Sequence, residues 1–286
     1  MPEPALAFDT LRHRLRFSGQ LVVLTGLRIG AGRDTDVTGH DLPVMRDASG
    51  RPFIPGASFK GVLRALLESL LRGLSDDAEI QRTTLACNVL DAARRCITDK
   101  EKEQLELDYR ARPNDLAAAI IDRSCLICQT FGSTWLASHV AIRDLTVDGA
   151  QWFGQFDVRQ GVALDRDTET AREGLLYSFE TVPPGTRFSL EIAAENLQPW
   201  QQGLLWLGLQ PLVRGEISIG GARSRGLGQV ELLEGAWQEW RLDGQDTSRA
   251  ARVVALLEGA YDDVDDAQKR GWQRALQDHV REVTGA

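Results

Sequence analysis

Between Ile29 and Arg64 the chain reads IGAGRDTDVTGHDLPVMRDASGRPFIPGASFKGVLR, a long glycine-rich loop that ends in a strong helix start. Loops of that length inside a compact domain are usually functional or disordered. This one carries tight-turn glycines, prolines and charges of both signs, and reads as functional. Before it, Leu15–Leu27 alternates and then runs apolar, as a half-buried strand does. After it, Pro55-Gly56 closes the loop and Ala57 or Ser58 can cap a helix from about Ser58 to Gly73, with Phe59, Val62, Leu63, Leu66, Leu67, Leu70 and Leu71 at helical spacing. Backbone N–H groups at this helix start, Ser58 and Lys60 in the first turn and Arg64 one turn later would make a phosphate site by dipole, hydrogen bond and charge.

The 286 residues suffice for one large domain or two small ones, and 43% hydrophobic with 26% charged residues is an ordinary globular balance. No apolar run reaches membrane-spanning length, and Met1-Pro2-Glu3-Pro4 does not lead from a basic into an apolar region, so a cytoplasmic protein with no membrane partner is expected. A net charge of −8 argues against a chain that coats itself in nucleic acid non-specifically. The cations are nevertheless almost all arginine, the side chain suited to bidentate phosphate contact; the lysines are Lys60, Lys100, Lys102 and Lys269. Acidic residues gather in Ser75–Glu79, Asp99–Asp108 and Asp262–Asp266, away from the glycine-rich segments, which leaves room for a local basic groove.

Residues 1–14 read as a polar lead-in with His13 on the surface. Ser75–Thr134 is a charged, mostly helical region that holds all four cysteines, Cys87, Cys96, Cys125 and Cys128. In a reducing cytoplasm these are buried thiols or metal ligands. Cys125-x-x-Cys128 has knuckle spacing, and Cys87 and Cys96 could complete a closed, structural Zn2+ site. His139–Val147 alternates as a strand, with His139 at its end. Gly161–Asp165 and Leu175–Ile192, joined by a charged run, read as a long β-hairpin. Pro199–Arg214 is an amphipathic helix whose tryptophans belong to the core, and Ile219–Gly228 is a second glycine loop followed by the strand Leu227–Leu233. The order strand, helix, strand, strand, helix, strand predicts an α+β chain with a ferredoxin-like (RRM-like) core. Ser248–Ala260 and Val264–Val283 read as two further helices.

The run Gly39-His40-Asp41-Leu42-Pro43-Val44-Met45-Arg46-Asp47, then Gly50–Gly61 and Arg64, together with Ile219-Gly220-Gly221-Ala222-Arg223-Ser224-Arg225-Gly226-Leu227-Gly228, resembles the signature of the RAMP superfamily of CRISPR-associated proteins. The resemblance is to the repeated backbone subunit of type III effector complexes. It implies a core of residues 1–73 and 138–235, a zinc-binding helical insertion at 74–137, a β-hairpin thumb at about 157–180 bearing Arg166, and a C-terminal helical extension at 236–286. It also implies a guide (CRISPR) RNA held by its backbone, with base pairing left to read the target. Gly220, Gly221 and Gly226 would let main chain approach that RNA, while Arg223 and Arg225 supply charge. Partners would be guide RNA, target RNA, further copies of the chain and other type III subunits.

Cleavage of target RNA uses the RNA's own 2′-hydroxyl, so it needs in-line geometry and a base or a divalent ion such as Mg2+. The family's catalytic aspartate falls on Asp41; His40, Asp34, Asp36 and Asp47 are its competitors, and Asp47 suits the turn before Gly50. Two alternatives stay open. One is the same scaffold without chemistry; the other is a zinc-stapled protein-interaction domain with no RNA partner, which the negative charge favours.

Overall fold

The computed structural model describes residues 9–32, 42–243 and 248–285. Its strands are β1 (His13–Val23), β2 (Phe53–Ile54), β3 (Val140–Ile142), β4 (Leu145–Thr146), β5 (Asp157–Leu164), β6 (Ala171–Thr181), β7 (Arg187–Glu195), β8 (Ile217–Ser218), β9 (Gln229–Arg241) and β10 (Asp262–Asp263). Its helices are α1 (Gly56–Arg72), α2 (Ala78–Ile80), α3 (Asp99–Asp108), α4 (Pro113–Asp122), α5 (Leu126–Phe131), α6 (Pro199–Val213), α7 (Arg249–Leu257) and α8 (Asp266–Thr284).

The central sheet is antiparallel, in the order β10-β9-β1-β7-β3, with β8 paired to β9. Strand β1 alternates as its sequence does: Leu15, Phe17, Leu21 and Val23 are buried, and Arg14, Arg16 and Ser18 face the other way. The buried side joins the Phe59, Leu63, Leu67 and Leu71 stripe of α1 and Leu204, Leu205, Leu209 and Leu212 of α6 in one core. The result is a mixed α+β fold in which β1, α1, β3, β7, α6 and β9 follow one another along the chain.

Several expected elements are cut differently. The strand expected over His139–Val147 breaks at Arg143-Asp144: β3 pairs with β7, whereas β4 pairs with β2. The break has a purpose, because Asp144 Oδ1 accepts the Gly56 N–H at 2.8 Å and so caps α1. The run Leu175–Ile192 is likewise two strands, since Pro183, Pro184 and a left-handed Gly185 (φ 86°) end β6 and turn the chain into β7. Only β6 joins β5 in the hairpin. His13 is buried, not exposed: its ring lies 3.3 Å from Glu239 and 3.4 Å from the Gln202 amide, partners too distant in sequence to suggest themselves.

The C-terminal segment wraps both sides of the sheet. Helix α8 packs on α6, where Trp272 is buried and Trp200 stacks on His279 at 4.6 Å. On the opposite face α7 covers Trp240, whose indole N–H donates to the Arg252 carbonyl at 2.6 Å. Between them β10 extends the β9 edge. Among the described residues no helix is long and apolar enough to cross a membrane.

Candidate nucleic-acid interface and cysteine cluster

The ends of the first glycine-rich loop pair with each other. Ala31 N–H donates to Pro43 O at 3.1 Å, Met45 N–H donates to Ile29 O at 2.8 Å, and Gly30 bridges Val44. The intervening residues 33–41, with Asp34, Asp36, His40 and the candidate Asp41, lie outside the described residues. Asp47 holds the following turn, accepting from the Ser49 and Arg51 N–H groups at 2.8 and 2.9 Å.

The second glycine loop docks directly on the first. Gly221 N–H donates to Arg28 O at 2.8 Å, and Gly228 N–H donates to Gly26 O at 2.9 Å. Gly220, at φ 79°, has no room for a side chain: a Cβ there would sit 2.3 Å from Arg28 O. Two motifs far apart in sequence thus share one backbone seam.

Helix α1 lies beside that seam and shows three faces. The first, spaced by four residues from Phe59, is core. A second, Lys60-Arg64-Glu68-Arg72, faces the cysteine-bearing region. Lys60 Nζ donates to Ser138 Oγ (2.6 Å) and Val140 O (2.8 Å), while Arg64 bonds Glu68 (2.8 Å), Gly132 O (2.9 Å) and Cys128 Sγ (3.5 Å). Arg72 completes the row on Ala86 O and Cys87 O. Burial, aided by the Arg64 charge, lowers the Lys60 pKa. Of the expected phosphate site of Ser58, Lys60 and Arg64, both cations bond protein acceptors here, and Asp144 accepts the first N–H of the helix.

The third face, with Ser58, Gly61 and Ser69, borders a cleft of about 870 Å³ whose other wall carries Arg28, Gly220, Gly221 and Arg223. Among the described residues Arg28 and Arg223 make no ion pair and no side-chain hydrogen bond, and Arg28 Nε is buried without a partner. Two guanidiniums with spare donors at the junction of both motifs can take an oxyanion such as a phosphate. Sequence reasoning missed Arg28; its only signal is an arginine where a strand passes into a glycine loop. Arg223 sits in a short turn entered through a left-handed Ala222 (φ 57°) and left through Gly226 (φ 80°). Arg225 donates to the Tyr177 hydroxyl at 2.7 Å, tying the glycine loop to the hairpin. Arg166 is exposed at the hairpin turn and does not line the cleft.

All four cysteines meet in the core. They are buried, their sulfurs lie within 4.8 Å of one another, and Cys87 and Cys128 are 3.6 Å apart. A tetrahedral thiolate site requires sulfurs roughly 3.8 Å apart, so the set fits an ion that prefers four soft donors. Hydrogen bonding from Cys125 and Cys128 lowers the Cys87 thiol to about 7, while Cys128, bonded to Cys125 and buried, is pushed up. The deprotonated thiolate is the form that binds metal.

The fold and cleft define a class: a mixed α+β protein whose glycine-loop seam and first helix enclose an arginine-bearing groove, stapled to a cysteine cluster. The family model of the RAMP superfamily matches residues 20–231, and the chain belongs to that superfamily. It is 25% identical over 235 residues to the CRISPR system Cms endoribonuclease Csm3 of Methanocaldococcus jannaschii, covering 79% of this chain and 81% of the relative. The protein of the same name from Methanothermobacter thermautotrophicus is 27% identical over 225 residues, 75% of this chain and 82% of the relative. That of Enterococcus italicus is 50% identical over a 56-residue stretch, 19% of this chain and 26% of the relative.

Proposed function

We propose that this chain is a guide-RNA-binding backbone subunit of a type III CRISPR effector complex, built on a ferredoxin-like core, and that it cleaves complementary target RNA. The observation that carries this reading is the seam itself: Gly221 N–H on Arg28 O brings both motifs to one cleft where, among the described residues, Arg28 and Arg223 make no side-chain hydrogen bond or ion pair. In this reading the guide's sugar-phosphate lies in the cleft against Ser58, Gly220, Gly221, Arg28 and Arg223. Arg225 and Gly226 shape the loop, and bases stay free to pair. Lys60 and Arg64 act one step back, fixing α1 to the insertion. The hairpin β5–β6 is the thumb, with Arg166 at its tip over the target duplex. Other copies of the chain and other type III subunits complete the assembly. The likeness to relatives named Csm3 endoribonucleases supports the assignment.

Zn2+ fits the four cysteine sulfurs, and when bound it would supply a closed tetrahedral crosslink. Cys87, Cys96, Cys125 and Cys128 would hold it, joining the insertion to α1 through Arg64 and Arg72. Among the described residues these four are the one group of three or more His, Cys, Asp or Glu side chains placed to hold an ion, so Mg2+ or another cation for cleavage has no described donor set. Scission is assigned to Asp41 acting on the RNA's 2′-hydroxyl.

The test is Asp41→Ala in the assembled complex with guide RNA and a labelled complementary RNA. Cutting should disappear while RNA binding persists; if wild type never cuts yet binds RNA, the chain is the inactive scaffold. The net charge of −8 favours a second reading, a zinc-stapled protein-interaction domain. Purified protein without RNA and without salt-dependent RNA affinity would decide for it.

A further inference from the structure

Strand β6 carries a glutamate where a hairpin strand has no ordinary use for one. Glu180 is 6% exposed, and a carboxylate taken out of water is costly unless it is paired and hydrogen-bonded. Among the described residues, its backbone N–H and its carboxylate both bond the segment that follows the candidate cleavage loop. The Glu180 backbone N–H donates to Leu42 O at 3.1 Å, and Leu42 bridges the neighbouring Phe179 in parallel. Its side chain accepts the Val44 N–H on Oε2 at 3.2 Å and the Arg46 guanidinium on both oxygens at 2.6 Å. Arg46 is held from its other side by Phe156, with the guanidinium 4.0 Å from the ring centroid.

One residue therefore fixes three alternate positions, Leu42, Val44 and Arg46, by main chain, main chain to side chain, and ion pair. A segment bonded at three points spaced by two cannot slip by a residue, since every side chain would change face. The same strand is tied to the second glycine loop three residues away, where Tyr177 accepts from Arg225. We propose that Glu180 is a positioning residue: it sets the register of Leu42–Arg46 against the thumb and thereby aims the chain at the scissile phosphate. The proposal rests on the cleavage reading above.

The experiment compares Glu180→Ala, Glu180→Gln and Asp41→Ala with wild type in the assembled complex, using guide RNA and a labelled complementary RNA. It reads the single-turnover cleavage rate at saturating target separately from target affinity. A small misplacement of a reacting group costs on the order of 10- to 100-fold in rate, so Glu180→Ala should slow cleavage by about that factor with target affinity within about twofold. Glu180→Gln keeps an acceptor for Val44 but no charge for Arg46, and should fall between. If Glu180→Ala does not assemble, the glutamine variant decides on the same criterion. Unchanged cleavage in both Glu180 variants alongside a dead Asp41→Ala overturns the proposal and leaves the cleavage reading standing. Rate and affinity lost together overturn it too, since that marks a merely structural residue. An Asp41→Ala complex that cuts like wild type removes the reading beneath, and the proposal falls with it.

Discussion

At the scale of residues, the cations sort by what they touch. Lys60 and Arg64 sit on the helix expected to grip phosphate, and their spacing is legible in the sequence; that they point inward is not, because Ser138, Val140 and Gly132 come from a distant segment. Arg28 is the converse, an arginine with no motif around it whose Nε is buried without a partner among the described residues. The two pairs should behave differently on substitution. Lys60→Ala removes two part-buried hydrogen bonds, worth about 1–3 kcal/mol together, so it should lower the melting temperature while leaving the salt dependence of RNA binding unchanged. Thermal melts and affinity titrations at several salt concentrations check both halves. The four cysteines were readable as a set because all of them fall in one segment; the role of Arg64 against Cys128 was not.

Elements were legible where pattern alone decides them and obscure where a single contact does. The stripe Phe59, Leu63, Leu67 and Leu71 identified α1 and its buried face, and the alternation of β1 identified the central strand. The break between β3 and β4 depends on Asp144 capping a helix whose start lies almost ninety positions earlier, which no local window reports. The glycine loop gives a sharp check on the seam. Gly220→Ala would place a Cβ 2.3 Å from Arg28 O at φ 79°, so it should cost about 1–3 kcal/mol and weaken RNA binding together. Gly226→Ala has the same handedness of backbone but open space around it, so its loss should be the smaller; paired denaturation curves measure the difference. For the insertion, removing a bound metal with a chelator, or Cys125→Ser, should lower thermal stability and expose 74–137 to protease first, read by limited proteolysis.

Across the whole molecule, the C-terminal segment is stitched to the start of the chain. Glu239 on β9 takes hydrogen bonds from His13, Arg241 and the Gln268 amide of α8. Burial alone would raise its pKa, but His13 and Arg241 outweigh burial and hold it at about 2, below the ordinary 4.5. The unfolded chain therefore takes up this proton first as pH falls. The stabilisation, on the order of 3 kcal/mol, is complete above the unfolded value and lost on the way down to the folded one. His13, whose pKa burial lowers, adds acid lability in the same direction below its ordinary 6.5. Glu239→Gln should thus be less stable than wild type at pH 7, with the gap closing between pH 4.5 and about 2 in urea titrations. None of this network could be read from sequence, because its members lie at opposite ends of the chain.

The proposed function places RNA phosphates against Arg28 and Arg223, in a cleft of a chain whose net charge is −8. The most direct measurement is the salt dependence of guide-RNA affinity for wild type and for the double variant Arg28→Ala, Arg223→Ala. Each phosphate contact on a single strand contributes about 0.7 to the slope of log affinity against log salt, so the double variant should bind more weakly with a slope reduced by about 1.4. An unchanged slope and affinity would contradict the cleft as the RNA site.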